Sequence, residues 1–184
     1  GPNQPSVFGL VDPTEPLGNY YGPNRSRQLA NFMNYFDSEN KDQIKVDPDK
    51  VTLNDVNELF ILASIVEKET FIKDEKSIIS GVFYNRFKKD MKLQSDPTFV
   101  YAITLGKKKM ERKLLRKDLK IKSKFNTYLI KGLPPEPICI PGIDSLIAAS
   151  RPSKSNYLYF VSKNKKNEGH LFSEKYKDHL ENIK

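Results

Sequence analysis

Cysteine is nearly absent from this chain: Cys139 stands alone, which excludes an intramolecular disulfide framework and a cysteine-rich zinc site. Histidine is almost as scarce. His170 and His179 show no HExxH-type spacing, so a catalytic transition metal would lack its usual imidazole ligands, and neither a metal nor another cofactor is expected. Long apolar runs are missing too, and no stretch is sufficient to span a bilayer. A Gly-rich phosphate loop, a nucleophile elbow and a Cys-His pairing are also absent, which removes nucleotide hydrolases, kinases and common acyl-transfer enzymes from the leading readings.

The 184 residues, 38% of them hydrophobic, are enough for one real core. A net charge of +8 suggests attraction to polyanions such as nucleic acid, anionic lipid or an acidic wall polymer. Lysine heavily outnumbers arginine, however, and scattered lysine marks a solvated surface rather than base readout, so no nucleic-acid partner is expected. Gly1-Pro2 reads as the scar of a removed tag, and the chain as a piece of something longer.

Residues 1–24, broken by Pro13, Pro16, Gly18, Gly22 and Pro23, read as an extended lead-in ahead of one domain over 25–184. Ser26 is placed to cap a helix carrying Leu29, Phe32, Met33 and Phe36. A second helix is signalled by Thr52 and Asp55 in a capping box, then Val56 to Thr70, apolar nearly all round in its middle and therefore central. A third starts near Asp74 or Glu75 and runs to Phe87, with Asn85, Arg86, Lys88 and Lys89 toward its outer side or end.

Leu93 to Asp96 reads as a loop, and Pro97 opens a short helix capped by Ser95 or Asp96. Lysine-rich residues 107–124 read as an exposed helix or excursion, and residues 132–137 as a stiff wall of prolines. A helix over Asp144 to Ala148 follows. Tyr157 to Val161 and His170 to Phe172 then pair as a hairpin, so the fold class is α+β: a helical core with a small antiparallel β-hairpin.

The chemistry concentrates in Leu62-Ala63-Ser64-Ile65-Val66-Glu67-Lys68-Glu69-Thr70, where carboxylates emerge straight from an apolar helical run. At about 100° per residue, Glu69 shares the stripe of Leu62, Ile65 and Val66, while Glu67 falls near Phe60, Ala63 and Ser64. Apolar neighbours desolvate a carboxylate and raise its pKa, the condition for a general acid near neutral pH. The bland alternative is a helix-end acid paired with Lys68 or Lys73, and Glu67 is the weaker candidate for catalysis. Gln94, Ser95 and Asp96, with Asn126, Thr127 and Tyr128, offer hydroxyls and amides suited to sugars, although each is also a common cap or turn former. His170 is a candidate strand-end ligand contact. A lone buried acid beside such groups points to glycosidic bond cleavage.

The motifs LASIVEKET at 62–70, GVFYNRF at 81–87, MKLQSDPTFVYA at 91–102, FNTYLIKGLPPEPICIPGIDSLIAA at 125–149 and YLYFVSKNKKNEGHLFSEKYKDH at 157–179 together resemble the endolytic murein transglycosylase family, the MltG or YceG-like proteins of bacteria, from 51 to 184. The resemblance implies a lyase that cuts the β-1,4 bond between N-acetylmuramic acid and N-acetylglucosamine without consuming water, leaving 1,6-anhydro ends. It implies Glu69 as acid and then base, and a cleft lined by Glu67, Gln94, Ser95, Asp96, Asn126, Tyr128 and His170. It further implies peptidoglycan strands as substrate, cell-wall synthases as candidate partners, and an anchor, absent here, in the inner (cytoplasmic) membrane with the catalytic domain on its outer, periplasmic side. A hydrolytic muramidase, using Asp96 as second acid, and a non-catalytic basic wall-binding domain are the competing readings.

Overall fold

The computed structural model describes residues 56–163 and 168–184. The expected lead-in, the Ser26 helix and the Thr52 cap lie outside these residues. In chain order the described elements are α1 (Val56–Glu69), α2 (Lys73–Lys88), α3 (Asp96–Thr104), a 3₁₀ turn (Arg116–Lys120), α4 (Ile143–Ser150), β1 (Tyr159–Ser162), β2 (His170–Ser173) and α5 (Tyr176–Asn182). This is the α+β arrangement expected.

Helix α1 is central because it is apolar on nearly every side: Leu59, Phe60, Ile61, Leu62, Ala63, Ile65 and Val66 are all buried. It packs against α4, α2 and α3. Ile79 and Phe83 of α2, Leu93 of the following loop, Tyr101 of α3 and Leu146 of α4 complete the core around it. Of the polar groups taken inside, the Tyr84 hydroxyl donates to the Ala149 carbonyl at 2.7 Å, tying α2 to α4.

Thr70 makes the turn between α1 and α2. Its hydroxyl accepts the Ile72 N–H at 3.0 Å and donates to Glu75 at 3.3 Å, so the chain reverses within three residues and Glu69 is left at the very end of α1. Phe71, in the middle of that turn, is 93% exposed.

The hairpin pairs Tyr159 with Ser173 and Ser162 with His170, so its first strand sits two residues later than the aromatic run suggests. Residues 157 and 158 are instead held ahead of the strand by two α2 side chains: the Asn85 amide donates to the carbonyls of Ser155 and Tyr157 at 2.7 and 3.0 Å, and Arg86 Nε to that of Leu158 at 2.7 Å. The lysine-rich segment is an irregular excursion with one 3₁₀ turn, pinned by Arg112 against Asp118 at 2.5 and 3.0 Å.

Candidate functional site

Three segments converge on Glu69. The first is the end of α1, which carries it. The second is the loop ahead of α3, where Gln94 adopts a left-handed backbone (φ 50°) and turns Ser95 inward. The third is the turn at residues 125–128, which stitches to the second: the Gln94 N–H donates to the Thr127 carbonyl at 3.2 Å, and the Ser95 N–H to Thr127 Oγ1 at 3.0 Å. Thr98 Oγ1 and Thr127 Oγ1 lie 2.7 Å apart, and all three of these hydroxyl residues are buried.

Ser95 occupies the N-cap position of α3, yet its side chain makes no capping bond. Its hydroxyl donates to Glu69 Oε1 at 2.6 Å instead. The helix thereby forgoes a contribution of about 1 kcal/mol, and the hydroxyl goes to the acid.

Glu69 is partly open to solvent as a residue, while its carboxylate is closely surrounded by protein. Burial pushes its pKa up to about 7; the Ser95 hydrogen bond and the Arg86 guanidinium pull it down, and the neighbouring Asp96 carboxylate pushes it up. At neutral pH such a group is near half protonation, poised both to give and to take a proton. Asp96 is exposed and accepts the Tyr128 hydroxyl at 2.5 Å. Tyr128 packs edge-on to Phe99 with ring centroids 6.3 Å apart, and burial together with the Asp96 contact raises its pKa, so it remains a phenol.

Arg86 lies on the inner side of α2, not toward the outside as helical periodicity suggests. It is 7% exposed, donating from Nε to Leu158 O at 2.7 Å and from Nη1 to Lys92 O and Leu93 O at 3.1 and 2.9 Å, with its cation 5.4 Å from the Tyr159 ring centre. It fixes the loop leading to Ser95 while lending positive charge to the acid. An arginine one turn beyond the buried Val82 and Phe83 was the signal available in the sequence.

Of the residues expected around the acid, the structure brings Ser95, Asp96 and Tyr128 to it, with Gln94 exposed beside them. Three others lie elsewhere. Glu67 faces the opposite side of α1, where it pairs with Lys76 Nζ at 2.9 Å and accepts hydrogen bonds from Ser145 Oγ and, at 3.3 Å, the Gly142 N–H. Burial pushes its carboxyl up, but those bonds and the Lys76 charge outweigh it and hold the pKa below the usual value. Asn126 is fully buried: its amide donates to the Leu119 and Ile121 carbonyls at 3.0 and 2.9 Å, and its oxygen accepts the Tyr128 N–H at 3.0 Å. It clamps the lysine-rich excursion to the site turn and has no donor left for a sugar. His170 donates from ring Nδ1 to Glu75 at 2.7 Å and from its backbone N–H to the same carboxylate at 2.8 Å, joining the hairpin to the start of α2.

Among the described residues no group of three or more histidine, cysteine or acidic side chains could hold a metal ion, and no helix is long and apolar enough to cross a membrane. A family model described as the YceG-like family matches residues 20–184, beginning well ahead of residue 51. The chain is 44% identical over 124 residues to a Bacillus subtilis protein named endolytic murein transglycosylase, covering 67% of this chain and 33% of that one. It is 40% identical over 108 residues to the Streptococcus pneumoniae protein of the same name, covering 58% of this chain and 20% of that one. The crystal structure of a yceG-like protein from Listeria monocytogenes superposes with a TM-score of 0.70 at 34% identity, over 86% of this chain and 48% of that one. The chain thus spans a fifth to a half of the length of these relatives.

Proposed function

The chain belongs to the YceG-like family, and from that premise we propose that it carries the catalytic face of an endolytic peptidoglycan lytic transglycosylase, with Glu69 as its general acid and then its base. The observation that carries this reading is Glu69 itself: a carboxyl with a pKa near 7, held at a helix end by Ser95. Protonated Glu69 gives its hydrogen to the oxygen linking N-acetylmuramic acid to N-acetylglucosamine as the C1–O bond breaks. The resulting carboxylate takes the proton of the muramic acid C6 hydroxyl, whose oxygen closes on C1. One bond breaks, one forms, no water is consumed, and Glu69 ends as it began.

A near-neutral pKa serves this sequence of steps because one group must work in both protonation states. The relatives named endolytic murein transglycosylase support peptidoglycan as substrate and an extracytoplasmic place of action. In this reading Gln94, Asp96 and Tyr128 face the sugars, and Thr127 and Arg86 position the loop that carries Ser95. The whole protein is membrane-anchored, and cell-wall synthases are its candidate partners.

Mass spectrometry of products from purified peptidoglycan tests the chemistry. Anhydro ends, lighter by one water than reducing ends, are expected, and their loss in Glu69→Gln. Reducing ends would assign a hydrolytic muramidase with Asp96 activating water. Binding without any product, unchanged by Glu69→Gln, would assign a wall-binding domain.

A further inference from the structure

A concavity of about 810 Å³ opens along α2. None of the residues lining it is among the groups that touch Glu69. One wall is the C-terminal half of α2 from Gly81 to Lys88, with Lys89 just beyond it; the other is the segment 152–158 with Glu174 and Lys175.

The two walls are fixed to each other. The Ser153 N–H donates to the Ser77 carbonyl at 2.9 Å, the two serine hydroxyls meet at 2.9 Å, and the Asn85 amide holds two carbonyls of the far wall. At Gly81 the backbones approach so closely that a Cβ would stand 2.5 Å from the Ser153 carbonyl oxygen. A groove held this way exists before any ligand arrives, which limits the ordering cost of binding.

Its charge is one-sided. Lys88, Lys89, Lys154 and Lys175 line it, and Glu174 is the single carboxylate among its lining residues. None of the four ammonium groups is in an ion pair among the described residues, so all four are available to a ligand. The floor is apolar where Tyr84, Pro152 and Leu158 contribute, and the Tyr84 hydroxyl is already spent on Ala149. Small aliphatic groups, several anions and an amine would match this lining. A flat bilayer does not enter a concavity, and a nucleic acid would want arginine forks or exposed rings that are not among the lining residues.

We propose that this groove binds the stem peptides of a peptidoglycan strand, giving the polymer a second hold on the chain away from Glu69. Stem peptides combine small aliphatic side chains with carboxylates and a free amine, the complement of four lysines, one glutamate and an apolar floor. The inference rests on peptidoglycan being the substrate. A second hold on the same strand raises its effective concentration at the acid without any new contact there.

The test uses the Glu69→Gln chain, so that strands are bound and not cut. Soluble uncrosslinked glycan strands with intact stems should bind about tenfold tighter than strands stripped of stems by an amidase, the sum expected of several exposed ion pairs. That preference should vanish in added salt and in a variant with Lys88, Lys89, Lys154 and Lys175 all changed to Gln, and survive when the same four become Arg. With free stem peptide as probe, amide resonances of Ser155 and Asn156 should shift. Equal binding of stemmed and stripped strands, a preference retained by the four-Gln variant, no binding of either strand, or shifts confined to Gln94 through Tyr128 would each overturn the proposal. Stem-dependent binding by a chain whose wild-type form releases no product would leave the groove standing and remove only the catalytic reading.

Discussion

Two glutamates separated by one residue at the end of α1 live in opposite surroundings. Glu67 looks toward α4, where an ammonium, a hydroxyl and a backbone N–H stabilise its charge. Glu69 looks toward the loop ahead of α3, where one hydroxyl touches it, a carboxylate stands beside it, and burial raises its pKa to about 7. The same side chain is a structural anion on one face and, in the proposed function, a proton carrier on the other. What separates them is a helical rotation of about 200° and what the rest of the chain brings to each face.

The largest effect should come from removing the proposed proton carrier: Glu69→Gln is expected to lower the rate of anhydro-product release by about 10²-fold to 10⁴-fold or more, measured by single-turnover assays on purified strands. Glu67→Gln should act on stability, losing about 1 to 3 kcal/mol in urea titrations at pH 7, while the pH dependence of catalysis stays in place. Because the folded pKa of Glu67 is depressed, the charge-dependent part of that stability is present above the unfolded value near 4.5 and fades as the solution is acidified. A Glu67→Gln chain that lost the alkaline limb of the rate profile would erase the contrast between the two faces.

The electrostatics around Glu69 can be read from that alkaline limb, since a general acid fails as it loses its proton. Activity should fall as pH rises past about 7. Ser95→Ala removes a bond that favours the charged form and should move the limb up, whereas Asp96→Asn removes a repelling charge and should move it down, each by up to about one unit. Identical limbs in both variants would mean that neither group acts on the acid. The last effect is thermodynamic. A carboxyl whose folded pKa is raised costs stability above its unfolded pKa near 4.5, with the full cost reached once pH exceeds about 7. Glu69→Gln should therefore be more stable than the native chain by up to about 3 kcal/mol at pH 8 and indistinguishable from it at pH 4.

Among the described residues the core helices were legible in the sequence, because the signal is local: α1 carries an apolar run from Leu59 to Val66, interrupted only by Ser64. The surroundings of the acid were less legible, for a common reason: side-chain partners arrive from distant segments. Ser95 stands where a cap belongs, and only the meeting of its loop with α1 directs the hydroxyl to Glu69. Asn126 has the amide a sugar site would use, but the returning excursion presents two carbonyls that consume it. Arg86 is drawn inward by carbonyls of residues 92, 93 and 158, which no helical wheel displays. His170 has a carboxylate partner ninety-five positions earlier in the chain. Helix α5 was not anticipated: it is short, has no buried residue, and gives no apolar stripe to read.

Phe71 stands 93% exposed two positions beyond Glu69, within about 7 Å along the backbone, in a chain that contains no tryptophan. An indole placed there would be the chain's sole such fluorophore, its emission shifting to shorter wavelength as an arriving saccharide displaces water from the ring. The turn that ends α1 thus offers a seat for an introduced optical gauge of occupancy, legible in stopped flow before any bond is cut.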